Sequence, residues 1–139
     1  MEFVVVLDCR EPGEWGAVTS RFDSAIRDEV ASGTAQFRLL LSLVHAEGVL
    51  GYAAAFRSWF AHVRPVMRQL RIGGVLCDET ERLDRVTVNF PGASVPPGAA
   101  TMLAGCFPSK GELCADAELR SRAAAAVAAP GSGFAKSEL

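Results

Sequence analysis

Cys77 is the residue whose setting could make a nucleophile. It closes the apolar run Ile72-Gly73-Gly74-Val75-Leu76, and Arg82 stands five residues further on. A thiol at the end of a strand, in a loop closed by an arginine, can attack sulfur or phosphorus while backbone N–H groups and the guanidinium hold the anion. Asp78, Glu79 and Glu81 lie between the two, with no glycine among them. Those carboxylates repel an anionic substrate and disfavour the thiolate. A buried, structural Cys77 is therefore the simpler expectation.

A second pattern is cationic. Arg57, Arg64, Arg68 and Arg71 are separated by seven, four and three residues, and no acid occurs between Glu47 and Asp78. On an unbroken helix that spacing puts them along one face. Such a stripe could dock a phosphate headgroup, an anionic ligand or an acidic partner surface; the plain alternative is a solvated helix face. His62 lies in the same segment, beside Trp59 and Phe60, which belong in a core or in the wall of a ligand pocket. Arg57, His62, Arg64, Arg68 and Arg71 are thus the candidate ligand- or partner-binding residues.

His45 stands two residues before Glu47, a spacing that could orient an imidazole for acid–base work or supply one metal contact. Read plainly, both histidines are local hydrogen-bonding residues. Cysteines at 9, 77, 106 and 114 form no C-x-x-C pair, so neither a zinc site nor a disulfide framework is expected. Neither G-x-G-x-x-G nor G-x-x-x-x-G-K-[ST] occurs. No metal and no cofactor is expected.

Positioning these residues falls to a chain of 139 residues, half of them hydrophobic, a length that suits one core. The net charge of −2 argues against a generally basic nucleic-acid binder. Contact with a membrane surface has no support beyond the arginines. The N-terminus opens on an acid, and its apolar run stops at Asp8, which is neither a signal peptide nor a span. A cytoplasmic chain with reduced thiols is expected.

Phe3 to Leu7 is purely apolar and valine-rich, the pattern of a central strand buried on both faces. From Ala17 to Val30, the residues Val18, Phe22, Ile26 and Val30 recur every fourth position and predict an amphipathic helix ending near Gly33. Gln36 to Val44 reads as a second, parallel strand. Leu50 to Leu70 reads as a second helix that Pro65 must kink or restart. Ile72 to Cys77 reads as a third strand, Glu79 to Asp84 as one helical turn, and Val86, Val88 and Phe90 as an alternating strand. Pro91-Gly92 and Pro96-Pro97-Gly98 mark a loop, and Thr101 to Phe107 a final strand. Ser109-Lys110-Gly111-Glu112 fits a capping box and predicts a last helix from Lys110 to about Ala128. The expected organisation is one α/β domain over 1–129 and a disordered tail over 130–139. Its sheet is small, mixed or mostly parallel, with about four strands flanked by about four helices.

The stretches FRLLLSLVHAEGV, AFRSWFAHVRPVMRQLRIGGVLCDE and GCFPSKGELCADAELR resemble, in order and rhythm, the STAS domain, in particular its SpoIIAA-like branch with a SEC14-type architecture. The resemblance spans most of 17–122. It implies a regulatory, non-catalytic module that binds a protein, a lipid or another small ligand. Two departures accompany it. The usual extra leading strand or hairpin is missing. No serine or threonine lies between Leu43 and Arg57, so the family's phosphorylatable serine has no counterpart.

A rival resemblance rests on Leu7-Asp8-Cys9-Arg10-Glu11-Pro12-Gly13-Glu14-Trp15, which looks like the Asp-x-Arg-Glu-Pro-x-Glu-aromatic segment of rhodanese domains. It implies a sulfurtransferase or cysteine phosphatase using Cys77, with Arg82 holding the anion. The leading expectation remains a non-catalytic STAS-like module that binds a protein partner or a small anionic or lipidic ligand.

Overall fold

A computed structural model describes residues 1–47, 51–70, 82–92, 94–107, 110–127 and 131–137. The chain is α/β. Strand β1 (Glu2–Asp8) leads through a short 3-10 turn (Pro12–Glu14) into α1 (Trp15–Ala31). Then come β2 (Phe37–Val44), α2 (Tyr52–Gln69) and β3 (Leu83–Asn89). The chain continues through α3 (Ala99–Cys106), β4 (Gly111–Cys114), α4 (Ala117–Ala126) and β5 (Gly133–Ser137). The five strands form one sheet in the order β4-β3-β2-β1-β5. β1 to β4 are parallel and β5 is antiparallel to β1.

The apolar run of β1 is explained by a covered layer on each side. Phe3, Val5 and Leu7 point into the main core shared with α1, α2 and α3, while Val4 and Val6 point to a smaller cluster under α4. β1 is interior, one place from the middle of the sheet, which β2 occupies. Around Phe3 the core is aromatic. Its ring is edge-on to Phe22 at 5.6 Å and stacked on Phe134 at 6.1 Å, and Phe22 in turn meets Trp59 at 5.6 Å. α2 runs as one element through Pro65, although a proline at that position has no N–H to return to the preceding turn.

Four expectations need correction. Residues 99–106 form a helix, because Ala99 and Leu103 are buried four positions apart and Met102 and Cys106 pack beside them, a helical period in a segment rich in helix-forming alanine. Glu112 belongs to a strand, accepting a hydrogen bond from the Thr87 hydroxyl at 2.7 Å; the last helix begins seven residues after Lys110, at Ala117. There the Asp116 carboxylate accepts from the N–H groups of Glu118 and Leu119 at 2.9 and 3.3 Å, an N-cap in place of the expected capping box.

Leu83 and Asp84 lie in β3, where a register shift opposite Phe37 and Arg38 lets Asp84 meet Arg38 at 2.9 Å. Finally, 133–137 is an ordered strand paired with β1 from Glu2↔Ser137 to Val6↔Gly133, so the tail is part of the domain. Phe134 drives this docking by entering the Phe3–Phe22 cluster. Gly133 permits it, since a Cβ there would lie 2.7 Å from the Val127 side chain. The strand expected at Ile72–Cys77 lies outside the described residues.

Candidate functional site

The carboxyl ends of the parallel strands carry most of the buried polar residues among the described ones, Asp8, Ser42 and Asn89. At the end of β1, Asp8 is buried. Its carboxylate accepts from the backbone N and side-chain Nε of Arg10 at 3.0 and 3.2 Å and from the guanidinium terminus at 3.0 Å. The Arg10 side chain holds this carboxyl below the usual carboxylate range. The Asp8 carbonyl accepts from the Trp15 indole at 3.1 Å, and its N–H donates to Ser132 Oγ at 2.9 Å. The Asp8 backbone therefore ties the strand end to α1 and to the approach of β5, while its carboxylate holds Arg10. The geometry of this segment is that of a structural clasp.

At the ends of β3 and β4, Asn89 is fully buried with all its capacity engaged. Its amide donates to Asp116 O at 3.0 Å and Ser42 Oγ at 3.5 Å; its carbonyl accepts from Asp116 N at 3.0 Å and the Cys114 thiol at 3.2 Å.

None of the described thiols is activated. Burial, with the nearby Asp8 charge, pushes Cys9 up to about 11. Burial also raises Cys106, with Arg64 partly opposing it, and raises Cys114, assisted by Asp116 and Glu112. Cys77 lies outside the described residues. Arg82, its expected anion clamp, donates to the Leu70 carbonyl at 3.3 Å, a favourable place for a cation at the end of a helix.

The arginine stripe is present on α2 as far as the described residues extend; Arg71 lies beyond them. From Arg57 to Arg64 to Arg68 the helix returns to within about 40° of one direction, over roughly 16 Å of axis. Arg57 and Arg68 are exposed and Arg64 is half-buried. Arg10, Arg21, Arg27, Arg38 and Arg82 each donate to a carboxylate, amide or carbonyl of the chain, and Arg85 stands 3.9 Å from the Glu112 carboxylate. The three on α2 have no such partner among the described residues. Arg64 goes further, for its Nε is sealed from water with no acceptor among the described residues. His62 is not brought to this stripe. Five residues from Arg57 is a turn of about 140°, which places it on the flank where Gln69 meets Arg27 of α1 at 3.1 Å.

Sequence reasoning did not anticipate one feature. Beyond β2 and β3 opens a cleft of about 720 Å³, with Leu43, Tyr52 and Phe90 on its apolar side and His45 and Glu47 on its polar side. His45 has φ +54°, a left-handed conformation uncommon for a residue with a side chain. The available signal was the clustering of prolines at 91, 96 and 97, which builds the far wall. Among the described residues no group of three or more His, Cys, Asp or Glu could hold a metal ion, and no helix is long and apolar enough to cross a membrane. Comparison with known protein families, curated proteins and solved structures finds no match.

Proposed function

We propose that this chain is a non-catalytic, STAS-like binding module whose α2 face docks the acidic surface of a protein partner. The observation that carries this is the row Arg57, Arg64 and Arg68 along one face of α2, none of which has a carboxylate or carbonyl partner among the described residues. Exposed guanidinium groups such as those of Arg57 and Arg68 offer carboxylates arriving from outside charge-assisted hydrogen bonds. A stripe of about three turns is longer than one small anion can span and matches a row of acidic side chains. Val95, the exposed large hydrophobic residue of the described chain, lies on the cleft loop, so the stripe lacks the apolar flank with which an interfacial helix enters lipid. The alternation of strands and helices under a mostly parallel sheet supports the STAS-like reading. The sulfurtransferase or phosphatase alternative has less behind it, because Asp8, Arg10 and Arg82 are all engaged internally.

The test is fluorescence anisotropy of a labelled octaglutamate peptide over a salt series, with circular dichroism to confirm folding of the variant. We expect binding that weakens with salt and falls at least about tenfold in the Arg64→Glu, Arg68→Glu double variant. Equal binding by that variant refutes the proposal. Tighter association with phosphatidylserine vesicles than with the peptide would replace the protein partner by a lipid surface.

A further inference from the structure

The cleft beyond β2 and β3 has a chemistry of its own, separate from the arginine stripe. It lies at the carboxyl ends of parallel strands, where open α/β sheets bind their ligands. Its volume of about 720 Å³ falls within the usual range for small-molecule sites.

The apolar side is tied to the proline loop. The Tyr52 hydroxyl donates to the Pro97 carbonyl, so the ring is held from both ends of the cleft, and it stands edge-on to Phe90 at 5.8 Å and 83°. Charge is one-sided. Among the described residues lining it, Glu47 is the carboxylate and there is neither lysine nor arginine. Arg10, on the neighbouring strand end, is committed to Asp8 at 3.0 Å. A ligand anion would face Glu47 without compensation, whereas an ammonium would gain a carboxylate and an aromatic ring to lie against.

We infer that this cleft binds a small organic cation, an ammonium group carried on a flat apolar body. The body lies between Tyr52, Phe90 and the proline wall, Glu47 takes the ammonium, and His45 supplies a hydrogen bond at the rim. The positive φ of His45 is consistent with a local conformation kept for the site.

The experiment is an amide-shift NMR titration of the full chain with three ligands sharing one body: 2-phenylethylammonium, neutral 2-phenylethanol and anionic 3-phenylpropionate. The ammonium should perturb the amides of His45, Glu47, Tyr52 and Phe90 and bind tightest of the three, with a dissociation constant of millimolar order. Glu47→Gln, an exposed and isosteric change, should weaken the ammonium by roughly two- to fivefold and leave 2-phenylethanol unchanged. Binding of 3-phenylpropionate as tight as that of the ammonium overturns the inference. So does an affinity for the ammonium that Glu47→Gln does not alter, or the absence of saturable shifts at these residues up to about 10 mM.

Discussion

Replacing Phe134 by alanine asks whether the last strand is part of the core or an appendage. Phe134 is 6% exposed, stacked on Phe3 at 6.1 Å and edge-on to Phe22 at 6.0 Å, with the Arg21 guanidinium 5.9 Å from its ring centre. A buried phenylalanine removes roughly 150–250 Å² from water, or about 4–6 kcal/mol at about 25 cal/mol per Å². Alanine keeps a fraction of that area, while each lost ring pair adds about 0.5–1.5 kcal/mol. The result should lie near the usual penalty of about 3–5 kcal/mol for such truncations. For a chain of this size that lowers Tm by roughly 10–20 °C.

Urea unfolding followed by the fluorescence of buried Trp15 and Trp59 reads the change, since Trp59 packs 5.6 Å from Phe22. Lys136→Ala in the same strand is the control. It breaks a partly exposed ion pair with Glu29 and should cost less than about 1 kcal/mol. A Phe134→Ala penalty no larger than the control's would refute the docking of β5.

Asp8 makes stability sensitive to acid. The Arg10 hydrogen bonds depress its folded pKa, so the stability it contributes is present above the unfolded value of about 3.9 and is lost as pH falls through the folded pKa. Asp8→Asn should flatten the acid limb of unfolding free energy against pH, and an unaltered limb would rule the clasp out as its source. In alkylation with iodoacetamide, Cys9 should label slowest, because burial and Asp8 push it up to about 11. Cys106 and Cys114 should react appreciably only above the ordinary thiol range of about 8.5. Cys77, followed by Asp78 and Glu79, should label with them; rapid labelling of Cys77 alone, with a midpoint well below that range, would reinstate the thiol enzyme.

The first half of the fold was legible because burial there follows short-range rules. Phe3 to Leu7 announces a strand covered on both faces, and Val18, Phe22 and Ile26 announce the inward stripe of α1. The second half depends on contacts that no local window contains. Thr101 to Phe107 is a short apolar run, equally a buried strand or a buried helix by composition, and only the packing of Leu103 against the sheet decides it. Gly111 belongs to a strand because its bare Cα fits against Leu103, where a Cβ would come within 2.7 Å. The pairing Val4↔Ala135 joins opposite ends of the chain, and a Pro-Gly-Ser-Gly segment ahead of Phe134 disguises it as a tail. The arginine stripe could be read because helical spacing alone defines it. The cleft could not, since Tyr52, Phe90 and the prolines meet only after β2 and β3 pair.

The pairing of the first strand with the last sets an order of events during synthesis. Val4, Val5 and Val6 leave the ribosome before β2, which can satisfy one side of that strand once residue 44 has emerged. The other side remains an open row of backbone donors and acceptors until residues 133–137 arrive. An unpaired valine-rich edge is a template for adhesion to other chains. The nascent chain is therefore most prone to misassociation between the emergence of β2 and that of β5, and pairing of β5 ends that exposure.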